Sequence, residues 1–258
     1  MTGSTAAPQG APRADCVADS AGGITFDIAV DLPGELVLVL RRRGADPVDE
    51  VRLPLTPAGG GHSRAALPST VELAEGRWDA YVGDLPVEPG VRDVRAVVDR
   101  VPEATGPVTA RVPYPTADGR LAVRSWVRGP HAEAGDLTFG EACCTVEGTL
   151  YGTELGAGAT AEARLGGTVH RVPADGEKDT FTFTLPYDLV AKPPLDKQQL
   201  WELWLRPAEG ADAIRVSRIL DDVWDRKNVF VYPEHQGDGY RAAPCYTTDN
   251  DLCVRVTP

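Results

Sequence analysis

A twelve-residue pattern occurs twice in this chain: residues 113–124 (PYPTADGRLAVR) return 131 positions later as residues 244–255 (PCYTTDNDLCVR). Pro, Thr, Asp, Leu, Val and Arg match in register. Asp118-Gly119 and Asp249-Asn250 tolerate positive φ, so each copy is expected to form a hairpin with a tight turn. A second element lies upstream of each hairpin. In GRWDAYV, Trp78 aligns with Trp201 of LWELWL; each Trp is followed by an acidic residue, with another aromatic three places on. A Trp strand followed by a closing hairpin, twice in the same order, reads as a duplication. A chain of 258 residues suits two sandwich units of roughly 100 residues each.

Residues between these landmarks alternate with period two. Ile24 to Val30 and Thr180 to Leu185 alternate apolar with small or polar side chains, and Leu36 to Leu40 is a continuous apolar strand ended by Arg41-Arg42-Arg43. The 22 Pro and 27 Gly punctuate these runs as turns. The single helical candidate is residues 216–224. The fold class expected is all-β: two tandem immunoglobulin-like β-sandwich domains. Residues 1–15 read as a disordered leader, 16–130 as the first repeat and 131–258 as the second. The break falls among Gly129-Pro130 and Gly135, and His131 is placed in the linker.

Charge and cysteine usage narrow the function classes. Lys and Arg total 26 against 38 Asp and Glu, a net charge of −12. Such a chain repels phosphate backbones, so nucleic acid and anionic membranes are not expected partners. No apolar run is long enough for a transmembrane helix, and no export signal opens the chain, which makes the expected location cytoplasmic. The five cysteines contain no Cys-x-x-Cys pair and are expected to be reduced, although Cys245 and Cys253 flank a turn. With four His, neither a metal site nor a cofactor is expected.

The strand from Gly76 to Val82 and the hairpin 113–124 resemble the duplicated β-sandwich accessory units appended to actinobacterial cell-envelope glycosyltransferases and glycerophosphotransferases. In those units a Gly-Arg-Trp-Asp-x-Tyr strand precedes a Pro-Tyr-x-Thr-x-x-Gly-x-Leu-x-Val hairpin. Residues 244–255 match more loosely, and about a third of the chain is covered. The family's catalytic domain has no counterpart here, so the resemblance implies an accessory unit without its enzyme.

Catalytic signatures are missing: no Gly-x-Ser-x-Gly elbow, no His-Glu-x-x-His and no phosphate loop occur. Gly156 to Ala161 reads as a turn in an all-β context. His235, between Glu234 and Asp238, is the histidine placed best for acid–base or cation chemistry, with a solvated loop as the simpler reading. Asp249 to Asp251 reads first as turn chemistry.

Strand parity suggests a different site. If Trp78 and Trp201 point inward, Tyr81 and Trp204 point outward at equivalent positions, with Arg206 beside Trp204. Arg124 and Trp126 are expected to face outward on the first hairpin, with Arg255 as the counterpart of Arg124 on the second. An aromatic ring flanked by arginines and carboxylates suits a sugar, whose C–H face stacks while its hydroxyls take the polar neighbours. The alternative is that these rings pack against a loop or the other domain.

The sequence therefore points to a non-catalytic accessory protein linked to glycan or glycerophosphate-polymer metabolism. It would bind carbohydrate or dock to a partner glycosyltransferase or phosphotransferase. A small enzyme acting on a sugar or secondary metabolite in an interdomain cleft, using His235, Glu234 and Asp238, is the alternative. A structural protein pairing through exposed strand edges is a third reading.

Overall fold

The structure, a computed structural model, describes residues 10–30, 34–103 and 106–258. It is all-β, with 21 strands among the described residues and two four-residue helices. The chain divides into two compact units. The first takes in the chain up to Val101, Thr109–Val127 and Leu220–Asp222; the second takes in Pro102–Val108, Arg128–Ile219 and Val223–Pro258.

The strands of the first part of the chain are β1 (Arg13–Ala18), β2 (Ile24–Ala29), β3 (Val37–Arg42), β4 (Glu50–Pro54), β5 (Thr56–Gly59) and β6 (His62–Leu67). They continue with β7 (Gly76–Val82), β8 (Leu85–Pro86), β9 (Glu88–Asp93), β10 (Val108–Pro115) and β11 (Leu121–Arg128). One sheet runs β5-β6-β2-β1-β9 and the other β10-β11-β7-β3-β4, with β8 on β7.

In the second part, β12 (His131–Phe139), β13 (Cys143–Tyr151), β14 (Thr160–Leu165), β15 (Thr168–Pro173) and β16 (Thr180–Pro186) lead to the helix α1 (Tyr187–Val190). Then come β17 (Gln199–Arg206), β18 (Ile214–Ser217), α2 (Arg226–Val229), β19 (His235–Gly237), β20 (Tyr240–Tyr246) and β21 (Leu252–Thr257). Here the orders are β16-β13-β12-β18 and β20-β21-β17-β14-β15, linked into one ten-stranded sheet by the pairing of β18 with β17.

The same order therefore recurs. β6-β2-β1-β9 corresponds to β16-β13-β12-β18, each ending on a parallel pair. β10-β11-β7-β3-β4 corresponds to β20-β21-β17-β14-β15. Register agrees too: Trp78 sits opposite Val123, and Trp201 opposite Val254.

Period-two alternation positions the core. On β17 Trp201, Leu203 and Leu205 are buried, and on β16 Phe181, Phe183 and Leu185. Both sheet segments feed one apolar cluster, so the second unit is a sandwich. Trp78, 1% exposed, anchors the first unit, its indole N–H donating to the Ala74 carbonyl at 3.0 Å. Burying such a side chain is worth on the order of 3 kcal/mol.

The paired turns match as well. Thr116 N–H donates to the Arg120 carbonyl at 2.8 Å, and Thr247 N–H to the Asp251 carbonyl at 2.9 Å. The left-handed position is taken by Gly119 (φ 76°) in one and Asn250 (φ 60°) in the other.

Several expectations need correction. β1 begins at Arg13, inside the segment expected to be a leader, while residues 1–9 lie outside the described residues. Residues 216–224 form no helix. Val216 and Ser217 pair in parallel with Ala132 and Glu133, and the Ile219 N–H donates to the Glu133 carboxylate at 3.0 Å, so the backbone groups a helix needs are engaged elsewhere. His131 is not linker: it opens β12, 1% exposed, with Nε2 2.6 Å from Glu133. The thiols need no correction: Cys245 and Cys253 face each other across β20 and β21, and all five are free, as expected. Among the described residues no helix is long and apolar enough to cross a membrane.

Candidate functional site

The three outward aromatics expected to form a sugar platform each lie against a guanidinium. The Arg41 Cζ stands 5.2 Å from the centre of the half-buried Tyr81 ring. Trp204, also half-buried, lies against Arg164 of β14 at 4.4 Å and Arg215 of β18 at 4.6 Å, from the two strands that flank β17. Its indole N–H donates to Glu202 at 3.3 Å.

Trp126 and Arg124 depart from expectation. They are 1% and 6% exposed, with the guanidinium 5.0 Å from the ring centre. Six consecutive residues of β11 are buried, so this strand has no solvated face and parity alone could not reveal it. A sugar cannot reach either side chain as the chain is folded.

Arg206 belongs to a larger arrangement. Register places Arg171, Glu162, Trp204 and Arg215 in one row across β15, β14, β17 and β18. The Glu162 side chain is fully buried and receives Arg164 Nε (2.8 Å), Arg164 Nη2 (2.5 Å), Arg171 Nε (3.0 Å) and Arg206 Nε (3.0 Å). Burial pushes its carboxyl up, but the hydrogen bonds from the three arginines more than offset this and leave it below the ordinary value. Arg215 bridges Glu202 (2.7 Å) and Asp251 (2.8 Å), and Asp251 also accepts from the Ser217 hydroxyl at 2.7 Å.

The second arrangement is a cleft of about 240 Å³ in the same unit. It is lined by Phe139 at the end of β12, Glu141, Cys143, Tyr187 of α1 and residues Pro233 to Gln236. Phe139 is 39% exposed and packs on Tyr232 at 5.7 Å; the His235 ring stacks on Tyr187 at 5.6 Å and meets Tyr240 at 5.9 Å. Gly237 lies against the Tyr240 ring, which would have to shift to admit a Cβ 2.3 Å away. Arg255, expected as a ligand residue, lies 3.9 Å from Glu234, and Arg241 lies 3.8 Å from the same carboxylate.

The structure thus brings His235 and Glu234 together with Arg255, while Asp238 does not line the cleft. His235 stacks between tyrosines, and no hydrogen bond joins it to a carboxylate or to Cys143 among the described residues. The neighbouring Cys144 is buried and its thiol is pushed up to about 12 by desolvation, so it is protonated and inert. No group of His, Cys, Asp and Glu suited to a metal ion occurs among the described residues.

Sequence reasoning missed Glu162, Arg164, Arg171 and Arg215, and also Phe139 and Tyr187. The outward alternation Thr160, Glu162, Arg164 and the arginine at 171, across Gly166-Gly167, was the available signal for the first group. Nothing local ties Phe139 to residues 233–236.

No family model matches the chain, and no curated protein matches it. Solved structures with some likeness include residues 217–571 of TarS from S. aureus, 13% identical with a TM-score of 0.33 over 71% of this chain and 60% of that one. A longer TarS structure is 12% identical, with a TM-score of 0.31 over 66% of this chain and 34% of that one. A pullulanase from Anoxybacillus sp. LM18-11 complexed with maltotetraose is 13% identical, with a TM-score of 0.26 over 83% of this chain and 24% of that one. The chain spans less than two thirds of each of these proteins, and at such TM-scores the likeness carries no argument about activity.

Proposed function

We propose that this protein is a non-catalytic accessory module of glycan or glycerophosphate-polymer metabolism, built from two copies of an immunoglobulin-like sandwich, and that its second unit binds carbohydrate. The observation that carries this reading is the cleft of Phe139, His235 and Glu234. An exposed ring supplies an apolar face for sugar C–H groups. Glu234, Glu141 and the Gln236 amide offer acceptors and a donor for hydroxyls. At about 240 Å³ the cleft is smaller than the roughly 300–1,000 Å³ of drug-sized pockets, which suits one ring of a chain.

Isothermal titration calorimetry of the full chain with neutral oligosaccharides tests this. Phe139→Ala should abolish binding while leaving the melting temperature within about 2 °C, since Phe139 is partly solvated. Unchanged binding by Phe139→Ala and by Glu234→Gln would refute the assignment. Docking to a partner transferase is the second reading, favoured by Val229 and Val231, 61% and 89% exposed on the segment leading into the cleft.

A further inference from the structure

The arginines gathered on the outer face of β14, β15 and β17 are more numerous than the acid that holds them. Glu162 accepts four N–H bonds, the capacity of a carboxylate, so it has nothing left to offer. With Arg215 and its two acids Glu202 and Asp251 included, four guanidiniums face three carboxylates, a local positive excess on a chain whose net charge is −12.

Those guanidiniums keep donors in reserve. Arg171 spends only Nε, so both its Nη groups have no hydrogen-bond partner among the described residues. Arg164 retains Nη1, and Arg206 retains Nη2 after Nη1 donates to the Ala211 carbonyl. The side chains are 56%, 28% and 27% exposed, so a ligand can reach them.

They are also held in place. Arg164 is fixed along its edge by Glu162 and across its face by Trp204, and Arg206 by Glu162 and the Ala211 carbonyl. Donors fixed before binding lose little side-chain entropy when a ligand arrives, and the guanidinium fork matches the oxygens of a phosphate. The negative net charge opposes a dense polyanion across the surface, while a local positive excess with free guanidinium donors suits a single anionic group.

We propose that this face binds a phosphate monoester carried by a sugar or polyol, with Arg164, Arg171 and Arg206 as its ligands. The sugar or polyol half of this assignment rests on the carbohydrate-binding reading above; the phosphate half rests on the arginines alone.

Calorimetry of the full chain at low ionic strength, with inorganic phosphate, glycerol 1-phosphate, glucose 1-phosphate, glycerol and glucose as titrants, tests both halves. Both esters should bind, and more tightly than inorganic phosphate. Arg171→Gln should weaken ester binding about tenfold, the worth of one charge-assisted contact, with the melting temperature within about 2 °C of the native chain. Arg171→Lys should recover part of the loss, and Arg95→Gln, a solvated arginine of the first unit, should change nothing.

Absence of heat with every phosphate compound, or wild-type binding by both Arg171→Gln and Arg164→Gln, would overturn the site. Equal affinity for inorganic phosphate and both esters would overturn the sugar or polyol half. The two proposals fail separately: ester binding that survives Phe139→Ala while neutral oligosaccharides never bind would remove the cleft and leave this face standing.

Discussion

Val39 and Glu162 hold the same place in the two units. Val39 lies opposite Tyr81 on the neighbouring strand and Glu162 opposite Trp204, and in both pairs the second residue follows its counterpart by 123 positions. Both are buried, 4% and 1% exposed. Their surroundings match too: Arg41 corresponds to Arg164, and Arg52, opposite Val39, corresponds to Arg171, opposite Glu162. The acid has moved. In the first unit the carboxylate is Glu50, opposite Arg41; in the second that place is taken by Val169.

The consequence is physical. Glu50 is solvated and holds Arg41 and Arg52 in surface pairs at 3.5 and 2.7 Å, which water screens. Glu162 is desolvated and draws three arginines onto itself. The exchange of valine and glutamate between neighbouring strands, together with Arg206 where the first unit has Gly83, separates scattered surface charge from an ordered cluster.

Glu162→Val should produce the largest effect, a loss of about 3 kcal/mol in denaturant unfolding of the full chain, because the partly buried Arg164 and Arg206 and the more exposed Arg171 lose their shared, buried carboxylate. Adding Val169→Glu would import the arrangement of the first unit and should recover part of that loss. An unchanged unfolding midpoint in Glu162→Val would break the comparison.

The turns offer the next contrast. Asn250→Ala removes the bonds from its side-chain amide to the Val223 carbonyl and from the Arg226 N–H, and leaves a left-handed alanine, for about 2–3 kcal/mol. Gly119→Ala meets open space and pays only the strained φ, about 1 kcal/mol. Equal losses for the two would show that Asn250 serves φ alone.

Trp204→Ala should cost about 1–2 kcal/mol by releasing Arg164 and Arg215, against about 0.5 kcal/mol for Tyr81→Ala, which releases one solvated arginine. A difference of the opposite sign in thermal melts would contradict the two-sided contact.

The smallest effect concerns pH. The folded value of Glu162 lies below its ordinary 4.5, so its contribution is complete above that value and is lost as pH falls through the lowered one. Midpoints recorded between about pH 5 and 2 should decline less steeply in Glu162→Gln than in the native chain. Identical slopes would mean that the carboxylate gains nothing from its arginines.

Much of this protein follows from local sequence, because strand alternation and turn chemistry are short-range. The inward Trp78 and Trp201, the outward Tyr81 and Trp204, the all-β class and the matched turns at Gly119 and Asn250 are each determined within a few residues. Which strands become neighbours is a long-range matter. Glu162, Arg171, Trp204 and Arg215 meet only because β15, β14, β17 and β18 lie side by side, and Phe139 meets His235 across nearly a hundred residues of chain. The burial of Trp126 is of the same kind: its parity is written in β11, but what excludes water from both faces of that strand is a property of the packed molecule.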